Sequence, residues 1–110
     1  MIGSHFIASV TDKEAAVTEL LLKQIINVMA RIIAGKAQKG KDARHELRER
    51  EERGTPQLIR VSDNAKAWRI TLTSDGAGWR MHYWHIPGGT SGDTIEFSNI
   101  LTKKDLVRIY

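Results

Sequence analysis

Arg80, His82 and Trp84 fall at alternate positions of the run GWRMHYWHI, residues 78–86. Period-two alternation reads as a β-strand, so these three and Ile86 share one face while Trp79, Met81, Tyr83 and His85 take the other. The first face then gathers a guanidinium, an imidazole and an indole. A guanidinium neutralises phosphate, an imidazole titrates near neutral pH, and an indole offers a flat surface to a base. That set suits a grip on nucleic acid. A Gly-rich turn follows, then a further strand, the basic pair Lys103-Lys104 and Tyr110.

Each of these groups has a plainer reading. Arg80 and Arg69 as outward strand residues would pair with Glu96 or Asp75, Lys103-Lys104 would be a solvated turn, and His82 a surface histidine. Trp68 and Trp79 read as core residues, and His5, His45 and His85 take no role. Four scattered histidines and no cysteine make no recognisable metal site. His82 and His85, three apart on a strand, point to opposite faces.

The elements that must position this chemistry follow from periodicity. Residues 5–10, HFIASV, form a short apolar run that predicts a first strand. Thr11 to Glu14 has the spacing of a capping box. Val17, Leu20, Leu21, Val28, Met29 and Ile32 then recur at helical spacing, and Gly35 is the expected stop. Leu22, Ile25, Ile26 and Ile33 widen the apolar stripe, so this helix is buried on much of its circumference. It lies across a sheet, or it also meets a second chain through Ala15–Ile33. Residues 40–54 carry only Ala43 and Leu47 as apolar residues. With Glu46–Arg50 and Glu49–Arg53 as i,i+4 pairs, each worth roughly 0.2–0.5 kcal/mol, they predict a solvated second helix. Gly54-Thr55-Pro56 breaks it.

From there the pattern turns to strands. Residues 58–61 are a brief strand, Ser62-Asp63-Asn64 a turn, and residues 67–73 a strand with Trp68, Ile70 and Leu72 inward and Arg69, Thr71 and Thr73 outward. Residues 74–78 close a hairpin onto the Trp79 strand, and residues 94–101 supply another strand. The outcome is one α+β domain over residues 1–110: an N-terminal strand and two helices packed on a C-terminal antiparallel sheet.

The chain has 17 Lys and Arg against 13 Asp and Glu, a formal charge of +4 that mildly favours a polyanionic partner. The excess is shared by both halves, so a binding patch must come from three-dimensional clustering. The lack of cysteine fits a reducing, cytoplasmic setting. Lys23, Gln24, Asn27 and Arg31 interrupt the most apolar segment, which excludes it as a membrane span.

Three local motifs, in order, resemble the RelE/ParE superfamily of bacterial toxin–antitoxin toxins. They are Trp68-Arg69-Ile70-Thr71-Leu72, then Gly78-Trp79-Arg80-Met81-His82-Tyr83, then Ile95 through Lys103-Lys104-Asp105 to Tyr110. The resemblance covers about the last 40% of the chain. It implies a RelE-like mRNA interferase: a metal-independent, ribosome-dependent endoribonuclease needing no cofactor, acting on mRNA and silenced by a cognate antitoxin. In that pattern the central-strand Arg, the second residue of the basic pair and the following Tyr form the active site. They fall here on Arg80, Lys104 and Tyr110, with Arg69 and Lys103 as supporting RNA-binding charges. His82 adds an acid–base candidate that the pattern does not require, and Trp84 a stacking platform. Thr71 stands where a second supporting Lys is expected. Lys104 replaces the more usual Arg and forgoes its bidentate clamp. The loop at residues 87–93 is longer than the family's tight hairpin, and RelE-like chains often continue into a short helix beyond the position of Tyr110.

Two other functions compete. The ParE branch of the same fold inhibits DNA gyrase by binding, though its members usually lack the full basic-plus-Tyr set. A nonenzymatic phage or mobile-element interaction protein would use the polar segment or the wide apolar stripe as a contact surface.

Overall fold

The computed structural model describes residues 2–3, 6–11, 15–36, 44–48, 56–72, 79–101 and 109. Two helices, α1 (Phe6–Thr11) and α2 (Ala15–Ile33), precede five strands: β1 (His45–Glu46), β2 (Ile59–Arg60), β3 (Ala65–Thr71), β4 (Arg80–Ile86) and β5 (Thr94–Leu101). The strands form one sheet in the order β1-β3-β4-β5, with β2 also paired to β3, and every strand pair is antiparallel. The class is α+β, as the patterning implied.

Two elements differ from expectation. In the run HFIASV, the described residues 6–10 are helical, not a strand. Phe6 is buried while Ile7 and Ala8 are exposed, which is no alternation, and the Phe6 N–H closes a turn onto the Gly3 carbonyl at 3.1 Å. What remains of an N-terminal strand is one parallel bridge between Ile2 and Phe97, tied by the Gly3 N–H to the Phe97 carbonyl at 2.7 Å.

The second correction concerns residues 44–48, which are extended, not helical. His45 and Glu46 pair with Arg69 and Trp68, and Arg48 bridges to Gln57. The reason is tertiary. Leu47 is buried with Ala65, Ala67 and Trp84, a burial far larger in free energy than surface i,i+4 pairs. Its N–H donates to the Ala67 carbonyl at 3.1 Å, and its carbonyl accepts from Leu58 at 2.8 Å. Of the proposed capping box, Thr11 is the last residue of α1, and residues 12–14, like the hairpin turn at 74–78 and the segment at 102–108, lie outside the described residues.

The helix α2 ends as its sequence predicts. Gly35 has φ 72°, its N–H bonds to the Ile32 carbonyl at 3.0 Å, and the Lys36 N–H bonds to the Arg31 carbonyl at 2.9 Å. This is the paired hydrogen-bond closure in which a left-handed Gly satisfies the last carbonyls. Ile25, Val28 and Ile32 face the sheet, meeting Ile70, Met81, Tyr83 and Phe97. Leu22, Ile26 and Ile33 stay exposed at 46%, 64% and 71%.

Strand alternation partitions the two sides of β4 as expected. Met81 and Tyr83 enter the helix-side core, while Trp84 and Ile86 enter a smaller cluster on the far side with Leu47, Leu58 and Ile109. A bulge at Ser98 shifts the β4–β5 register between His82–Asn99 and Tyr83–Phe97.

Candidate functional site

On the far face the strands line up residues row by row. Arg80 pairs with Thr71 on one side and Leu101 on the other; His82 pairs with Arg69 and Asn99; Trp84 pairs with Ala67 and Glu96. Arg80, Arg69, His82 and Trp84 therefore do share one face of adjacent strands. Arg80 is half-buried and forms no ion pair among the described residues. Glu96 is not its partner, because Glu96 takes Arg60 instead at 2.9 Å.

The burial of this face was not legible. His82 is 3% exposed and Trp84 5%. The Arg60 guanidinium lies 4.8 Å from the centroid of the Trp84 ring and bonds to both Asp63 and Glu96. A base can stack on Trp84 only after Arg60 moves, and bulk solvent does not reach His82. For Trp84 the cause is Leu47, Leu58 and Ile109, which pack with it on what alternation alone reads as an outer surface. Lys103, Lys104 and Tyr110 lie outside the described residues.

Sequence reasoning assigned no role to a second polar group, on the helix side. His85 Nε2 lies 2.8 Å from Asp93 Oδ2, and Arg44 Nη1 donates to His85 Nδ1 at 3.3 Å. An arginine can only donate, so Nδ1 accepts and the proton sits on Nε2, directed at Asp93. The Arg44 guanidinium also stacks on the Trp68 ring, 3.7 Å from its centroid. Burial pushes the Tyr83 phenol pKa up, with the positive charge of Arg44 acting in the opposite sense.

The loop at residues 87–93 is what sets Asp93 on His85. Gly88 donates its N–H to Asp93 Oδ1 at 3.1 Å, and a Cβ on Gly88 would fall 1.7 Å from the Gly92 carbonyl oxygen. Only glycine fits there. The available signal was the pairing of a Gly-rich loop with an Asp eight residues after a strand His.

Two carboxylates sit below their ordinary pKa of 3.8: Asp63 through its hydrogen bond from Arg60, and Asp93 through its contact with His85 and then the Gly88 amide. A depressed folded-state pKa contributes stability above the unfolded value and loses it as pH falls through the folded one. The melting temperature is therefore expected to drop as pH falls below about 4. Asp63→Asn combined with Asp93→Asn should flatten that drop in a pH series of thermal melts. An equally steep drop in the double variant would place the acid sensitivity elsewhere.

Among the described residues no group of His, Asp or Glu is arranged to hold a metal ion. No described helix is long and apolar enough to cross a membrane. Comparison with protein-family models, curated proteins and solved structures found no match to this chain.

Proposed function

We propose that this chain is a RelE-like toxin acting as a metal-independent, ribosome-dependent mRNA endoribonuclease and held inactive by a cognate antitoxin. The observation that carries the reading is the register of β4 and β5. Arg80 is opposite Leu101, the last described residue of β5. Lys104 is three residues on, within about 11 Å of extended backbone. Ile109 packs on the cluster that holds Trp84 and Ile86, the same sheet face as Arg80.

Metal-free RNA cleavage needs the 2′-hydroxyl deprotonated, the phosphorane charge neutralised and the 5′-oxygen protonated. Arg80 and Lys104 are the charge-neutralising groups in this reading, supported by Arg69 and Lys103. Tyr110 is the group that stacks on a base or passes a proton in this reading. His82, enclosed beside Arg69, serves only if the face opens. Expression of wild type, Arg80→Ala and Lys104→Ala, with cuts mapped in translated messages, tests it.

The partner we infer for α2 is a second copy of the chain. Leu22, Ile26, Met29 and Ile33 are spaced four, three and four residues apart, the seam of a two-stranded coiled coil with Ile at a and Leu or Met at d. A two-heptad seam is short, which puts the dimer in the weak class, below about 1,200 Å². The sedimentation coefficient is expected to rise with concentration in wild type and to stay at the monomer value in Ile26→Glu. A concentration-independent wild type would refute the pairing.

A further inference from the structure

The helix-side group of Arg44, Trp68, Tyr83, His85 and Asp93 has a surplus of hydrogen-bond donors. Arg44 is half-buried, and among the described residues it has no carboxylate partner; its neighbours are His85, the Trp68 ring and the Tyr83 hydroxyl. Trp68 Nε1–H and the Tyr83 hydroxyl are enclosed and meet no hydrogen-bond partner among the described residues. Tyr83 is fully buried, and its cross-strand partner is Trp68, so the two side chains are neighbours on one face.

Buried polar groups in folded proteins are almost always paired, and an unpaired one calls for an explanation. Here two enclosed donors lack an acceptor, beside a cation that has no carboxylate among the described residues. The ligand that supplies acceptors and negative charge together is an oxyanion. Trp68 holds the guanidinium by one face, while its edge keeps further N–H groups beyond those directed at His85 and Tyr83. Its other face is the kind of plane on which a nucleobase stacks.

We propose that Arg44, Trp68 and Tyr83 form a binding site for the phosphate of a nucleotide, distinct from the Arg80 face. His85 and Asp93 are positioning residues: Asp93 holds the imidazole tautomer, and His85 holds the guanidinium over Trp68. The nucleotide assignment rests on the RNA-directed reading above. The oxyanion site itself rests on the unfilled donors.

The test uses the full chain labelled with 15N and follows the indole N–H resonance of Trp68, assigned by its loss in Trp68→Phe. Inorganic phosphate is expected to shift it saturably. Arg44→Gln should weaken that binding at least about tenfold, the loss of a hydrogen bond to a charged group. Tyr83→Phe, which removes one hydroxyl and keeps the ring, should weaken it about threefold to tenfold. In Arg80→Ala the Trp68 resonance should still titrate with phosphate, whatever binding is lost at the Arg80 face, which separates this site from the cleavage reading. A short single-stranded oligoribonucleotide should compete with phosphate for the same shift. Phosphate binding without RNA competition overturns the nucleotide as ligand. No shift of the Trp68 resonance, or a shift that survives Arg44→Gln, overturns the site.

Discussion

Arg80→Ala is expected to lower mRNA cleavage by about 10²–10³-fold, the loss seen when one preorganised charge-stabilising donor is removed from a transition state. In this reading the guanidinium meets charge that develops on the phosphorane, so the effect falls on the chemical step more than on RNA binding. Arg80→Lys keeps the charge but loses the bidentate fork, and should retain only part of the activity. Lys104→Ala should act in the same direction. In controlled bacterial expression, wild type is expected to arrest growth and cut translated messages, and both alanine variants to fail to do so. The Arg80 side chain is half-buried and carries no ion pair among the described residues, so its truncation should cost about 1 kcal/mol of stability or less. A melting curve controls for that. Cleavage that persists in both variants would refute the assignment. Arrest with DNA damage and intact messages would point to gyrase inhibition, and no arrest in wild type to a nonenzymatic interaction protein.

Phe97→Ala is expected to destabilise the fold by about 3–5 kcal/mol, through lost transfer free energy and the cavity left behind. Phe97 is 4% exposed, and its ring centroid lies 6.2 Å from that of Phe6 and 6.3 Å from that of Tyr83. It is also the residue whose backbone receives the N-terminal segment, through the Gly3 amide and the Ile2 bridge. One side chain thus joins α1 to the middle of the sheet. Against a typical total of about 5–15 kcal/mol, that loss is a third or more of the stability. The melting temperature should fall on the order of 10–20 °C. Val61→Ala is the control: at 89% exposure its loss should lie within about 0.5 kcal/mol. A Phe97→Ala variant melting within a few degrees of wild type would show that α1 is not held through this ring.

The parts of this architecture that sequence made legible are those whose signal is local. Alternation on β4 divides Met81 and Tyr83 from Trp84 and Ile86 correctly, because a strand has only two faces. The stop at Gly35 follows from its tolerance of positive φ. Residues 44–48 misled because a charged segment with one Leu is compatible with a solvated helix or a short edge strand. What decides between them is the contact of Leu47 with Trp84, 37 positions away. Likewise, alternation says which residues oppose the helices but not whether anything covers that side. The burial of Trp84 comes from Leu47, Leu58, Arg60 and Ile109, all distant in sequence. The His85–Asp93 contact was partly in view, as a Gly-rich loop returning an Asp to a strand His. Its Arg44 partner was not, since it depends on the misread strand.

The outer edge of β3 is covered by two strands of two residues each, set end to end around the Ala67 junction. A long, flat, unpaired edge is a template on which another chain can add a strand. Here the outermost ladder breaks after each pair, and His45, Glu46, Arg48 and Arg60 stud it with polar side chains. Among the described residues, neither piece offers an incoming chain the run of free amides and carbonyls from which a fibril grows, and that discontinuity protects this stretch of the border against self-assembly.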